Sequence, residues 1–354
     1  MIASLRLQNF RSHIDSQFEF ENGVTIVVGP NGSGKTSLLE GLQMACNGQS
    51  FKAASEVEVI RDGTTWARVD VVTTDNNERA VKLSHTDDNA KVLKQFVLNG
   101  ESKSRLPKNT NMPVVLFEPQ DLLVLTLDPG MRRDFLDVLL SETLPHYAQH
   151  LKNYKRVLSQ RNTLLKRHKK PSQDELFIWD LRLAELGSSI HGERKRIVEY
   201  MNATLSEKYA AISGRQDTVF MRYLSDETAQ DYAEYMLAKL HQNYHKDLER
   251  GFTTVGPHRD DFLIELRQRT TKTTASRGEN RSMMLALKLI HAKLVEEVFG
   301  RKPLILLDDV FSELDGSRRQ RLASSLQGYQ SIVTTTDADL AIDHFNRSAT
   351  IVAL

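Results

Sequence analysis

Leu5 and Leu7 alternate with polar neighbours, and Phe18 and Phe20 repeat that period after a short break, so half-buried strands are expected to open the chain. Val24-Thr25-Ile26-Val27-Val28 is apolar or β-branched on both faces, the pattern of a central strand covered on both sides. From Thr36 the period changes. Leu38, Leu39, Leu42, Ala45 and Cys46 follow helical spacing, which predicts a helix where a glycine-rich loop ends. Residues 55–117 read as short polar strands joined by turns such as Arg61-Asp62-Gly63 and Asp75-Asn76-Asn77, giving more antiparallel sheet. Between about 131 and 250 glycine is scarce while Leu, Ala, Glu, Lys and Arg abound, which predicts a helical lobe. A strand at Phe262 to Leu266, a long helix, a buried strand at Leu304 to Leu307 and another at Ser331-Ile332-Val333 restore α/β character. The expected organisation is a discontinuous α/β domain, 1–130 with 251–354, interrupted by the helical lobe 131–250.

Composition narrows the class without choosing a function. The 354 residues suffice for about two domains of roughly 150 residues each. Apolar residues at 40% and charged residues at 26% exclude wholesale disorder. Lys plus Arg number 47 against 46 for Asp plus Glu, so any nucleic-acid site must be a local patch rather than a global pull. The single cysteine, Cys46, cannot form an internal disulfide, which fits a reducing compartment. No apolar run reaches the ~20 residues that span a bilayer, and no apolar signal-peptide core is visible, so a cytoplasmic protein without membrane contact is expected.

Gly29-Pro30-Asn31-Gly32-Ser33-Gly34-Lys35-Thr36 fits the phosphate-loop pattern in full, directly after an apolar strand and directly before a helix, with Ser37 following. Glycines let backbone N–H groups close around phosphate oxygens, and the helix N-terminus adds positive potential. Lys35 supplies a mobile cation for β- and γ-phosphates, and the Thr36 hydroxyl is suited to Mg²⁺. Further along, Pro303-Leu304-Ile305-Leu306-Leu307-Asp308-Asp309 is a buried strand ending in two carboxylates, where a parallel sheet delivers side chains to a ligand. Asp308 is expected to hold Mg²⁺ and Asp309 to orient or deprotonate an attacking water.

Three segments together resemble the ABC-type ATPase plan: the phosphate loop, the acidic strand with Ser312-Glu313-Leu314-Asp315, and Ser276-Arg277-Gly278-Glu279 opening a helix. Within that class the chain resembles the RecF family of bacterial recombination mediators over essentially its whole length. Asn9-Phe10-Arg11, Gly48-Gln49-Ser50-Phe51, Asp128-Pro129-Gly130-Met131-Arg132-Arg133 and Gly256-Pro257-His258-Arg259-Asp260-Asp261 carry that likeness outside the phosphate loop. The resemblance implies an ABC-type head with an inserted helical lobe. It further implies an ATP-dependent homodimer that binds DNA at single-strand/double-strand junctions and works with RecO and RecR to load RecA. In such dimers Ser276 and Gly278 act on the nucleotide held by the other subunit, and Arg277 and Asp315 belong to the same cofactor-binding set. Gln120 matches the glutamine that senses Mg²⁺ and is assigned both to the metal and to catalysis beside Lys35 and Asp309. Glu279 stands where the signature commonly has Gln, which places a carboxylate near phosphate. Thr336 lies near the position of a switch histidine, and slow, DNA-dependent hydrolysis is expected.

Lys152, Lys155, Arg156, Arg161, Lys166, Arg167, Lys169 and Lys170 fall in a stretch, 151–170, without an acidic residue, which predicts a positive strip on a helix. His258 and Arg259 are a second candidate contact for nucleotide or DNA. Two other readings stay open: another SMC-like or ABC-type chromosome-maintenance ATPase, and a phosphate-loop kinase of small metabolites, which would share the loop alone.

Overall fold

The computed structural model describes residues 1–86, 91–107, 110–167, 170–225, 231–337 and 349–354. They divide into two compact units, Met1–Pro119 with His291–Leu354, and Gln120–Ile290. The first unit opens with β1 (Ile2–Phe10), β2 (His13–Glu19), β3 (Val24–Val28) and α1 (Lys35–Asn47), followed by β4 (Trp66–Thr73), β5 (Glu78–His85), β6 (Val92–Leu98), β7 (Glu101–Lys103) and β8 (Val114–Phe117). The second unit holds α2 (Leu123–Thr126), α3 (Pro129–Thr143), α4 (Pro145–Leu165), α5 (Gln173–Ser213), β9 (Val219–Leu224), α6 (Tyr232–Gln242), α7 (Tyr244–Arg250), β10 (Asp261–Leu266), β11 (Arg269–Thr270), α8 (Thr271–Thr274) and the start of α9 (Arg277–Phe299). The first unit resumes with the end of α9, then β12 (Leu304–Asp308), α10 (Gly316–Ser325), β13 (Ser331–Thr335) and β14 (Thr350–Ala353).

This is an α/β architecture in which parallel and antiparallel ladders form separate sheets. Strands β2-β1-β4-β5-β6-β7 make an antiparallel sheet, and β14-β3-β13-β12-β8 make a parallel one. β3 sits between β13 and β14, as its two-sided apolar pattern requires. Helix α1 turns Leu38, Leu39, Leu42 and Cys46 into a core shared with Leu5, Leu7, Val69 and Val71 of the antiparallel sheet and Leu306 and Ile332 of the parallel one. Gly41 permits this approach, since a Cβ there would lie 2.6 Å from Leu7 Cδ2. At the far end of α1, Arg79 donates to the carbonyls of Ala45 and Cys46, satisfying groups that the helix leaves open. The middle and the C-terminal end of the phosphate-loop helix are therefore fixed by tertiary contacts.

In the second unit α4 and α5 pair as long helices. Ser172 and Glu175 form a reciprocal capping box at the start of α5, and left-handed Gly214 ends it. The stretch expected to be helical, 131–250, contains a strand. Val219 and Met221 of β9 are buried while Phe220 is exposed, and the Asn202 amide of α5 both donates to and accepts from the Met221 backbone at 2.8 and 2.7 Å. Ser206 does the same for Val219. A helix thus completes the hydrogen bonding of this strand, which pairs antiparallel with β10. Helix-forming composition on either side masks a segment only six residues long.

Candidate functional site

The loop after β3 is held by the backbone. Gly29 N–H donates to the Thr335 carbonyl at 3.3 Å and Ser33 N–H to that of Pro30 at 3.2 Å. Gly32 and Gly34 adopt left-handed φ values of 82° and 103°, which disfavour other residues. At Gly34 space is equally decisive, because a Cβ would lie 2.7 Å from His13 Nε2 and 2.8 Å from Ser12 Oγ. His13 is buried, and its Nε2 lies 3.2 Å from the Gly34 carbonyl. Burial lowers the affinity of that ring for a proton, against the raising effect of the Gly34 contact. No motif in the sequence marks Ser12 or His13; only the hairpin that brings them to the loop gives them a role.

Lys35 is 8% exposed, and its ammonium donates to the carbonyls of Gly29 and Pro30 at 2.6 and 2.9 Å. The loop thus folds onto its own cation. Asn31 and Gly32 lie at its exposed or half-exposed crest, and Ser37 continues the first turn of α1. Thr36 and Asp308, 272 residues apart, meet: the Thr36 hydroxyl lies 3.0 and 2.9 Å from the two carboxylate oxygens of Asp308. The Thr334 hydroxyl, from the neighbouring strand β13, reaches Asp308 Oδ1 at 2.8 Å and accepts the Asp309 N–H at 3.0 Å. Thr334 was missed in the sequence because its role depends on the register of β12 against β13. Asp309 is held at φ 50°, a left-handed conformation uncommon for a residue with a side chain.

Buried atoms Ser33 Oγ and Asp309 Oδ1 lack hydrogen-bond partners among the described residues. Unmet polar atoms beside a lysine, a threonine hydroxyl and a carboxylate fit an anionic phosphate chain with a hard cation. The residues present therefore suit a nucleotide with Mg²⁺.

The remaining predicted residues lie in separate settings. Gln120 follows β8 in the second unit, next to Asp121, which pairs with Lys288 of α9 at 2.7 Å. Ser276, Arg277 and Gly278 open α9, also in the second unit. Asp315 is the N-cap of α10, accepting from Arg318 N–H at 2.9 Å and the Ser317 hydroxyl at 2.8 Å. The Arg318 backbone bond leads the effects that take its carboxyl down to about 2. Thr336 is exposed. Arg11 has φ 52° and clamps the buried carboxylate of Glu40 in α1 with bonds of 2.9 and 2.8 Å. Asn9-Phe10-Arg11 is thus a brace for the phosphate-loop helix.

The basic strip needs one correction. Arg161 is 0% exposed and pairs with Asp180 and with Asp247, also donating to Thr253 at 2.9 Å. It is an internal tie and leaves the strip; α4 turns that position inward with Tyr154, Val157 and Leu165. Lys152, Lys155, Arg156, Lys166, Arg167 and Lys170 are exposed, and Lys169 lies outside the described residues. His258 faces inward between the Tyr154 hydroxyl and the Thr253 carbonyl, whereas Arg259 is exposed and lies 4.8 Å from the Phe252 ring centre. His258 is therefore a packing residue, because its ring atoms are already engaged.

Among the described residues no helix is long and apolar enough to cross a membrane. Residues 1–351 match the model of the RecF/RecN/SMC N terminal domain. The chain is 31% identical over 350 residues to the DNA replication and repair protein RecF of Ruminiclostridium cellulolyticum, covering 96% of this chain and 93% of that one. It is 30% identical to the protein of the same name from Clostridium tetani, over 94% of this chain and 92% of the relative. Among solved structures it is similar to the recombination mediator protein RecF with ATP in the RecFOR pathway, with a TM-score of 0.82, 30% identity, and coverage of 96% and 92%. An SMC head bound to the C-winged helix domain of ScpA shares the fold, with a TM-score of 0.54 at 17% identity and coverage of 97% and 91%.

Proposed function

This chain belongs to the RecF family within the RecF/RecN/SMC group, and on that premise we propose that it is an ATP-binding protein of DNA replication and repair that closes as a homodimer on DNA. The observation that carries the reading is the meeting of Thr36 with Asp308 beside an unpartnered Asp309 oxygen, at the start of the phosphate-loop helix. The likeness to a recombination mediator with ATP supports it.

Lys35 leaves the Gly29 and Pro30 carbonyls for the β- and γ-phosphates, and the loop N–H groups of residues 31–34 turn to the same oxygens, that of Ser33 leaving the Pro30 carbonyl. Gly29, Pro30 and Ser33 shape that cradle, and Ser37 extends it along the helix. Thr36 and Asp308 would hold Mg²⁺, which would neutralise phosphate charge, and the family resemblance assigns Gln120 as a further ligand. Asp309 orients the attacking water through its free oxygen and accepts its proton. Ser276, Arg277 and Gly278 of one chain close on the nucleotide of the other, and Asp315 stands at the same seam, so two chains form two sites. Slow hydrolysis then resets the dimer. The exposed lysines and arginines of α4 grip DNA backbone near strand junctions, and RecO and RecR are the partners in RecA loading.

Size measurement by light scattering tests the dimer. The parent chain is expected to dimerise with ATP, Lys35→Ala to remain monomeric, and Asp309→Asn to persist as an ATP-bound dimer. Monomers throughout would refute the reading.

A further inference from the structure

The signature serine is already engaged. Ser276 N–H and its hydroxyl both donate to Glu279 Oε2, at 2.8 and 2.9 Å. The other carboxylate oxygen, Oε1, faces two guanidiniums: Arg267 contacts it closely and Arg215 lies at 3.5 Å. One oxygen therefore holds the serine while the other is anchored by cations. Burial works to raise the Glu279 carboxyl, yet the Ser276 bonds and Arg267 prevail and hold it below the usual carboxylate range.

Arg267 reaches this position from an unfavourable turn. It and Gln268 join β10 to β11 with left-handed φ values of 53° and 63°, in a two-residue hairpin whose positions favour Asn and Gly. A backbone outlier of this kind at a polar cluster points to a constraint beyond folding. The cluster also has unused capacity. Tyr209 is 0% exposed with an unpartnered hydroxyl, and Asp217 has a buried unpartnered Oδ2 although its Oδ1 lies 3.4 Å from Arg267 Nε. Asp217 thus offers Arg267 a second seat.

We propose that Glu279 is an internal anion that occupies Ser276 in place of a phosphate, and that Arg267 is the positioning residue that fixes and neutralises it. The proposal rests on the reading that Ser276 acts on nucleotide held by a second copy of this chain. When that phosphate arrives, the Ser276 hydroxyl and N–H exchange Glu279 for it, and Arg267 can shift toward Asp217. The carboxylate sets how much nucleotide is needed for closure, so Glu279 determines sensitivity to nucleotide rather than its chemistry.

The test is an ATP titration of dimer formation, by light scattering, on the full chain and on Glu279→Gln, Arg267→Ala and the double variant. Gln keeps the helix cap while removing the charge. Glu279→Gln is expected to need about tenfold less ATP for half-dimerisation, consistent with the two Ser276 bonds losing their charge assistance. Arg267→Ala is expected to need roughly threefold more, because the carboxylate stripped of its cation repels the incoming phosphate and binds Ser276 more strongly, an effect that outweighs the lost anchor and has the scale of an exposed ion pair. In the double variant the arginine change has no effect, because no carboxylate remains for it to position. Equal effects of Arg267→Ala in both backgrounds, or an unchanged ATP requirement in Glu279→Gln, would overturn the proposal while leaving ATP-dependent dimerisation intact. A parent chain that stays monomeric at saturating ATP overturns the dimer reading, and the latch with it.

Discussion

Lowering the pH from 7 to 4 is expected to weaken the second unit through one side chain, His258. Its Nδ1 lies 2.6 Å from the Tyr154 hydroxyl and its Nε2 lies 3.1 Å from the Thr253 carbonyl, an arrangement that a neutral ring protonated on Nε2 satisfies. Adding a proton to Nδ1 turns the acceptor of the Tyr154 hydrogen into a second donor. Burial pushes the His258 ring down to about 4, with Arg259 and Arg133 reinforcing it against the Thr253 bond. The unfolded chain takes up its proton near 6.5, so between about 6.5 and 4 the unfolded state binds a proton that the folded state refuses. Stability from this group is fully present above the unfolded value, falls as pH drops through the window, and levels off below the folded value. A gap of about 2.5 units corresponds to about 3 kcal/mol. Urea unfolding followed by Trp179 fluorescence, in a Trp66→Phe background, reads the second unit. The stability difference between the parent and His258→Gln should shrink by about 3 kcal/mol from pH 7 to pH 4, with carboxylate titration cancelling in the comparison. A difference that stays constant across that range would refute the argument.

Arg161→Met should cost about 3–5 kcal/mol by the same unfolding assay, because Asp247 and Asp180 lose their buried counter-charge. Replacing Lys152, Lys155 and Arg156 together by Ala should lower the slope of log DNA affinity against log salt by up to about 0.9 for each phosphate that the variant no longer neutralises. Filter binding between 50 and 200 mM salt measures that change, and an unaltered slope removes α4 from the DNA surface. Gly34→Ala should sharply reduce ATP binding in calorimetry, since φ 103° and the close approach of Ser12 and His13 both oppose a side chain.

The phosphate loop was legible from the chain because its parts are contiguous. Val24–Val28, the glycines, Lys35, Thr36 and the apolar period of α1 are local instructions, and the strand, turn and helix formed where those residues dictate. Asp308 and Asp309 were readable as the end of a buried strand for the same reason. Their expected division of labour, Asp308 toward the metal and Asp309 toward water, was read from the same strand end; what was not readable is that Thr36 and Thr334 arrive at Asp308 from other parts of the parallel sheet and its helix.

Side-chain direction on long helices marks the boundary of what local pattern conveys. The basic run on α4 reads as a single strip, yet three-dimensional packing turns Arg161 inward to two acids from α5 and α7 and leaves its neighbours in solvent. Likewise β9 exists because Asn202 and Ser206 of a distant helical turn complete its backbone bonds, and Glu279 acquires its counter-charges from a hairpin and a helix end. Periodicity encodes which face of an element is apolar, so it determined most of the elements, while the contiguous glycines, Lys35 and Thr36 determined the phosphate-binding loop. Only the folded chain could decide which charges meet, because an ion pair is set by the packing of elements remote in sequence and its energy by the water their contact excludes.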